Sequence, residues 1–136
     1  MLSSLSVRNL AVVEDLALNF DSGMTSLTGE TGAGKSMLVD ALSLVLGDRA
    51  DSKMIRQGTD RAEIEAEFSI DNNPVLHKWL VDQELDDDDI CHLRRTISRD
   101  GRSKGYINGR VVPLVLLREV SERSIDIHGQ HAHQSL

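Results

Sequence analysis

An eight-residue phosphate-binding motif constrains this chain more than any other feature of its sequence. Residues 29–36 read GETGAGKS and match the pattern G-x-x-x-x-G-K-[ST] at every fixed position. Glycines let such a loop wrap closely around phosphate oxygens, because they adopt backbone conformations closed to other residues. Successive backbone N–H groups then point at the anion, and the following helix adds its positive N-terminal end. The motif therefore predicts a strand, a phosphate-binding loop and a helix, in that order.

Each residue type in the motif has a chemical role in binding ATP with Mg²⁺. Lys35 supplies a mobile ammonium for the β- and γ-phosphates, and Ser36 offers its hydroxyl to the metal ion. The rest of the motif provides the backbone amides of the loop. The candidate nucleotide-binding residues here are Gly29, Glu30, Thr31, Gly32, Ala33, Gly34, Lys35 and Ser36.

Hydrophobic periodicity on both sides supports this interpretation of the motif. Met24 to Thr28 predicts a short strand that leads into the loop. A broad apolar face after Lys35 predicts a helix that stops at Gly47. Upstream, loose alternation predicts two antiparallel strands, at about residues 2–8 and 11–20.

Two other nucleotide-binding classes fit the sequence less well. Gly32 and Gly34 have the first spacing of G-x-G-x-x-G, but the third glycine of a dinucleotide-binding loop would fall at Met37. A protein kinase is disfavoured because neither H-R-D nor D-F-G follows. The sequence therefore favours a P-loop nucleotide-binding protein.

The rest of the chain alternates between strand and helix patterns. Residues 48–61 predict a loop with a short extended piece near Met54–Ile55, and Asp86–Asp89 predict a solvated loop. Turns are predicted at RDGR, residues 99–102, and at Asn108–Gly109. The predicted elements are a strand at 62–70, a helix from Pro74 to about Gln83, a strand at 90–98, its hairpin partner at 103–107, a helix from Pro113 to about Ser121 and a short strand at 124–127.

Charge limits the partners that the chain itself can bind. Fifteen Lys and Arg against 22 Asp and Glu give a net charge of −7, so the chain is not a self-evident nucleic-acid binder. Only 3% aromatic residues disfavours a base-stacking platform. One basic hairpin is the exception, and it either contacts DNA in a larger assembly or, as is more common, is simply solvated. Its basic residues are Arg94, Arg95, Arg99, Arg102 and Lys104.

The remaining features predict a reduced, cytoplasmic protein. No apolar run approaches the ~20 residues that span a bilayer, so no membrane role is expected. The single cysteine, Cys91, excludes an intrachain disulfide and is predicted to be buried. Trp79 is predicted to pack in the core. Three close histidines near the end of the chain invite a metal-site hypothesis, although a polar tail is favoured: His128, His131 and His133.

Five segments together resemble the N-terminal part of the RecN family of bacterial DNA-repair ATPases, which is related to SMC proteins and belongs to the ABC-type ATPases. They are LSSLSVRNLAVVEDLALNF, LTGETGAGKS, LGDRADSKMIRQG, GRSKGYINGR and DIHGQHAHQSL. The resemblance covers essentially the whole chain. It implies an α/β fold in which residues 1–136 form lobe I of an ATPase head, with an antiparallel β part flanking the P-loop αβ core.

The resemblance also implies nucleotide-site residues outside the motif. Gln130 in HGQH resembles the Q-loop glutamine, which would bind Mg²⁺ and sense the γ-phosphate. Arg56 in MIRQG resembles the R-loop arginine of SMC heads, near nucleotide and DNA. Arg8 and Asn9 in VRNL resemble residues near the nucleotide in the first strand of related heads. For Arg8, Asn9 and Arg56, a solvated surface position is the alternative.

The family carries its signature motif, Walker B residues and switch histidine in a C-terminal half beyond a coiled coil, and none of these is found in this sequence. The resemblance therefore implies ATP binding here, and hydrolysis only with that half and a second head. It implies DNA contact through the complete protein, in the cytoplasm at the nucleoid. The isolated chain is expected to self-associate, because a central strand edge would be uncovered. The alternatives are a transport-type ABC ATPase and a nucleotide-free protein-interaction fragment.

Overall fold

The computed structural model describes residues 2–20 and 32–124, and the side chains of the second segment from residue 37 onward. Within these ranges six strands form one antiparallel sheet, in the order β2-β1-β3-β4-β5-β6. The strands are β1 (Leu2–Leu10), β2 (Val13–Asn19), β3 (Arg61–Ser69), β4 (Ile90–Ser98), β5 (Ser103–Ile107) and β6 (Arg110–Val112). The helices are α1 (Gly32–Val45), α2 (Pro74–Asp82) and α3 (Leu114–Arg123), with a 3-10 turn at Ser52–Met54.

Alternating side chains divide the sheet into an inner and an outer face. On β3, Ala62, Ile64, Ala66 and Phe68 are buried, and the glutamates between them lie on the opposite face. α1 contacts β3 and β4, α3 contacts β5, and α2 packs against α3. The helices therefore cover the inner face, where strand and helix residues form one continuous core.

Local sequence signals explain where the helices begin and end. Pro74 is in the first turn of α2, and the side chain of the N-cap Asn73 accepts a hydrogen bond from the Leu76 amide at 3.1 Å. α1 ends just before Gly47, which has a φ of +101°. This left-handed conformation suits glycine and closes the helix. The predicted stop of α1 at Gly47 is thus confirmed.

Most of the predicted elements are confirmed, with small shifts at their ends. The sequence reasoning missed β6, which follows the predicted turn at Asn108 and Gly109, whose φ values are +49° and +85°. Such a turn, with two positive φ angles, joins two antiparallel strands directly, so Arg110–Val112 pairs with β5. The predicted strand at 24–28 lies outside the described residues. Of the predicted strand at 124–127 only Ser124 is described, and Ser124 does not belong to a strand.

Candidate functional site

The helix predicted by the phosphate-binding motif begins inside the motif itself. α1 starts at Gly32 and runs for 14 residues, so residues 32–36 form its first turn. That turn contains no acidic residue to neutralise the positive end of the helix dipole. Residues 29–31 of the motif lie outside the described part of the chain. The helical half of the predicted strand-loop-helix arrangement is therefore in place.

The opposite end of α1 is held by a buried arginine from β4. Arg95 is only 2% exposed. Its Nη1 donates hydrogen bonds to the carbonyl oxygens of Leu44, at 2.7 Å, and Asp48, and its Nε donates to Ser103 Oγ at 2.9 Å. The last carbonyls of a helix lack partners within the helix, so a guanidinium there satisfies them and complements the dipole. Burial lowers the pKa of Arg95 from its usual value, and Asp48 acts in the opposite direction.

A close backbone approach adds a second anchor at this end. A Cβ on Gly47 would lie 2.6 Å from Cγ of Arg118 and 2.9 Å from the Arg118 amide nitrogen, so α3 passes directly over this glycine. Arg118 Nε donates to the Gly47 carbonyl at 3.3 Å. The C-terminal end of α1 is thus fixed by β4, β5 and α3 together.

Three of the residues implied by the family resemblance lie together at one end of the sheet. The amide of Arg56 donates to the carbonyl of Asn9 at 2.8 Å, and Leu10 forms an antiparallel bridge with Ile55. Asn9 has a φ of +57°, which turns the end of β1 toward this segment. Arg8 precedes it with an exposed side chain. Arg8, Asn9 and Arg56 are therefore neighbours, whereas Gln130 lies outside the described residues.

A third arginine, Arg99, which the sequence reasoning placed on the basic hairpin, holds this segment in shape. Arg99 donates from Nε to the Thr59 carbonyl at 2.8 Å and from Nη2 to the Arg56 carbonyl at 3.1 Å. Thr59 Oγ1 donates to the same Arg56 carbonyl at 2.7 Å. The turn at residues 56–59 is therefore fixed from the end of β4. Only the RDGR turn signal at Arg99 hinted at this role, and it did not name the partner.

A cavity of about 760 Å³ opens at this end of the sheet. Its charged lining is balanced, since three arginines face three carboxylates. They are Arg8, Arg61 and Arg99, with Asp60, Glu63 and Asp100. Asn9 and Ser98 complete the lining. This cavity offers mixed polar contacts, and its lining has no excess of positive charge among the described residues.

The basic hairpin is not a positive patch, which corrects that hypothesis. Arg94 donates to Glu63 Oε2 at 2.9 Å and lies 5.0 Å from the ring centre of Tyr106. The hydrogen bond to Glu63 raises the pKa of Arg94. Arg102 pairs with Asp100 at 3.7 Å, and Arg95 is in the core. The error arose because neighbouring strand residues point to opposite faces, so five basic residues on one hairpin do not share a surface.

The predictions for the single cysteine, the tryptophan and the acidic loop can be compared directly with the structure. Cys91 is fully buried, and burial raises its pKa from 9.0 to about 12. Trp79 is 8% exposed, packed in the core with Arg123 5.2 Å from its ring. The loop Asp86–Asp89 is exposed, as predicted. Among residues 2–20 and 32–124 no group of three or more potential metal ligands occurs, and His128, His131 and His133 lie outside these ranges.

No helix in the described part of the chain is long and apolar enough to cross a membrane.

Comparison with known proteins gives consistent results in sequence and structure. The model of the AAA domain family matches residues 4–129. The chain is 52% identical over 136 residues to the DNA repair protein RecN of Vibrio cholerae, and 42% identical over 137 residues to that of Bacillus subtilis. Each match covers 100% of this chain and 24% of the relative. The chain thus spans about a quarter of the length of these relatives.

Solved structures share the fold at low sequence identity. A structure described as "Structural biochemistry of ATP-driven dimerization and DNA stimulated activation of SMC ATPases" superimposes with a TM-score of 0.71 at 22% identity, covering 91% of this chain and 79% of that one. The SMC head domain from Thermotoga maritima gives 0.60 at 21% identity, covering 87% of this chain and 41% of that one. The matched family model covers most of the chain, and these likenesses show its architecture. The chain therefore belongs to the AAA domain family and has the fold of the N-terminal lobe of an SMC-type ATPase head.

Proposed function

We propose that this chain is the ATP-binding N-terminal segment of a RecN-like protein that acts in recombinational repair of DNA double-strand breaks. Membership of this ATPase family implies nucleotide binding. The single observation that carries the proposal is the position of α1, which begins at Gly32 inside the phosphate-binding motif with no acidic residue in its first turn. A helix N-terminus with no acidic residue in its first turn, preceded by a glycine-rich loop, favours a bound polyphosphate.

The residues present suit ATP with Mg²⁺. The backbone of residues 29–34 would bind phosphate oxygens, and Lys35 would neutralise their charge. Ser36 and Gln130 would ligate Mg²⁺ through a hydroxyl and an amide carbonyl, which are the oxygen donors that this ion prefers. When bound, the metal ion neutralises the phosphates and orients them for attack by water.

The cluster at the end of the sheet supports a second part of the proposal. We propose that Arg8, Asn9 and Arg56, which lie together at the end of the sheet, contribute to the nucleotide site. Arg99, which donates to the Arg56 carbonyl, would hold their segment in place. The side chain of Arg56 has no hydrogen-bond or ion-pair partner within residues 2–20 and 32–124. A half-buried guanidinium in that state suits an anionic ligand.

The complete activity requires more than these residues. The sequence contains no Walker B stretch, and the chain spans about a quarter of the RecN relatives. We therefore infer that residues 1–136 are one lobe, completed by a C-terminal half and by a second head. Hydrolysis and DNA contact would belong to that assembly, located in the cytoplasm at the nucleoid. The lobe alone would self-associate through its uncovered edges.

Calorimetry tests the proposal directly. ATP and Mg²⁺ are titrated into the wild-type chain, into Lys35→Ala and into Lys78→Ala. Lys78 is an exposed residue of α2, so its replacement makes the same charge change away from the motif. Saturable binding that is lost in Lys35→Ala and retained in Lys78→Ala, without phosphate release, is the expected result. Equal binding by all three proteins would refute the role of the motif, and turnover by this chain alone would refute its incompleteness.

A further inference from the structure

A second cavity lies where α1 ends and α3 begins, at the opposite end of α1 from the motif. It has a volume of about 350 Å³ and is lined on one side by Gly47 and Asp48 and on the other by Leu114. α1 is 14 residues long, so its two ends are about 20 Å apart. A ligand in this cavity would not contact the first turn of α1.

Charge in the lining of this cavity is strongly one-sided. Three arginines line it, Arg49, Arg95 and Arg118, and they come from the segment after α1, from β4 and from α3. Among the residues that the structure describes, Asp48 is the only carboxylate in the lining. Three positive charges and one negative charge leave an excess of two. This excess distinguishes the cavity from the larger one at the end of the sheet, where the charges balance.

The buried member of this set, Arg95, contacts no carboxylate among the described residues, although Asp48 acts on it from a greater distance. Within residues 2–20 and 32–124, all the hydrogen bonds of Arg95 go to neutral oxygens, two carbonyls and the hydroxyl of Ser103. The Asp48 carboxylate instead lies 3.5 Å from Nη2 of Arg118. The carboxyl end of α1 supplies only about half a negative charge to Arg95. A buried cation without a contacting carboxylate is costly, and an anion in the adjoining cavity would offset that cost.

Several residues that carry hydrogen-bond donors also line the cavity or lie beside it. α3 begins at Leu114, and its N-cap residue, Pro113, has no side chain that caps the helix. The first turn of α3 contains no acidic residue. Ser103 accepts from Arg95 through Oγ and donates to no other residue in the described part of the chain, and Ser52 contributes a second hydroxyl to the lining. Amides at a helix N-terminus, hydroxyls and guanidinium groups are the donors that bind phosphate.

We propose that this cavity is a binding site for a phosphate monoester or free phosphate, separate from the nucleotide site. The excess of two positive charges matches the dianion that such groups form above their second ionisation. A phosphodiester in a nucleic-acid backbone carries one charge per phosphate and fits this count less well. Binding would tie α3 to the carboxyl end of α1.

Phosphate titration at pH 8 tests the site. Inorganic phosphate is titrated by calorimetry into Lys35→Ala, so that the contribution of the motif is reduced, and into the same protein carrying Arg49→Ala with Arg118→Ala. The matched control carries Lys78→Ala with Arg110→Ala, which removes two exposed cations that do not line this cavity. We expect phosphate affinity to fall about tenfold or more in the first pair and to stay within about twofold in the control.

Three results of these titrations would overturn or support the proposed phosphate site. Equal affinities in the two double variants would overturn the proposal. A duplex oligonucleotide that displaces phosphate from the Lys35→Ala protein would also overturn it, because the site would then serve a nucleic-acid backbone. If the first double variant does not fold, Arg49→Ala alone replaces it, since Arg49 is exposed and has no hydrogen bond within the described ranges. Loss of phosphate affinity in that variant would support the site. These results are independent of whether residues 29–36 bind ATP.

Discussion

Arg94 and Arg95 are adjacent in β4, but their side chains lie on opposite faces of the sheet and have different structural roles. Arg95 points to the inner face, is almost completely buried and binds the carboxyl end of α1. Arg94 points to the outer face, where it pairs with Glu63 and packs over Tyr106. One residue step therefore separates a structural cap in the core from a half-exposed ion pair.

This contrast extends to the two faces as a whole. The inner face is a continuous apolar core covered by helices, and Arg95 is the charged residue buried there among the described residues. The outer face has a row of cross-strand pairs, such as His92 Nε2 with Glu65 Oε1 at 3.0 Å. Burial multiplies the energetic consequence of each polar contact, because an unsatisfied group in the core has no water to replace its partner. Substitutions on the inner face should therefore have much larger effects.

The largest expected effect is the difference in thiol reactivity of Cys91, on the inner face, between the folded and the unfolded protein. Burial raises its pKa to about 12, three units above the ordinary 9.0, so its thiolate fraction at pH 8 falls about a thousandfold. Labelling with a disulfide reagent should be negligible in the folded protein and rapid in urea. Fast labelling under native conditions would show that the inner face opens readily.

The same shift predicts a pH dependence of stability. In the unfolded chain the thiol of Cys91 ionises near pH 9, whereas in the folded protein it remains neutral until about pH 12. The unfolded state therefore binds fewer protons in this window, and stability should fall as the pH rises above about 9. Urea unfolding of the wild type and Cys91→Ala between pH 8 and pH 10 measures this loss, which should be absent in the variant.

Removing the inner-face arginine should cost more stability than removing any charged residue of the outer face. Arg95→Met keeps much of the side-chain volume but removes the guanidinium donor to the carbonyls of Leu44 and Asp48, and the Leu44 carbonyl keeps the Gly47 amide as a donor at 3.1 Å. We expect the free energy of unfolding to fall by about 3 kcal/mol. Chemical denaturation measures it, and a loss below about 1 kcal/mol would mean that water replaces Arg95 easily.

Gly105, where β5 packs closely against α3, should show an intermediate loss of stability when it is replaced by alanine. A Cβ on Gly105 would lie 2.7 Å from Leu117 Cδ1 and 3.1 Å from Leu114 Cδ2, so Gly105→Ala overpacks the contact between β5 and α3. The two leucine side chains must shift, which should cost about 1–2 kcal/mol. A raised unfolding midpoint would instead show spare room beneath α3.

The smallest effect is expected on the outer face. Arg94→Met removes the ion pair with Glu63 and the contact with Tyr106 and should lower stability by no more than about 1 kcal/mol. Because salt screens an exposed ion pair, this loss should shrink further in 1 M NaCl. A cost equal to that of Arg95→Met would remove the distinction between the two faces.

Much of this architecture follows from local sequence signals. The alternation at Ala62–Phe68 predicted β3, Asn73 with Pro74 predicted the start of α2, and Gly47 predicted the end of α1. The strand signal is a period of two in neighbouring residues, and the helix-end signals are single residues next to a period of 3.6. β6 was missed because three residues are too short for a period to be seen, although the sequence predicted the Asn108–Gly109 turn that joins it to β5.

The sequence by itself determined the phosphate-binding motif and the helix that begins within it, because both depend on residues that are contiguous in the chain. Only the tertiary structure decided the roles of Arg95 and Arg99. Arg95 meets the carbonyl of Leu44 across 51 positions, and Arg99 meets that of Arg56 across 43. A basic residue on a strand has no local signal for the carbonyl that it will bind, since that partner is brought to it only when separate elements pack together.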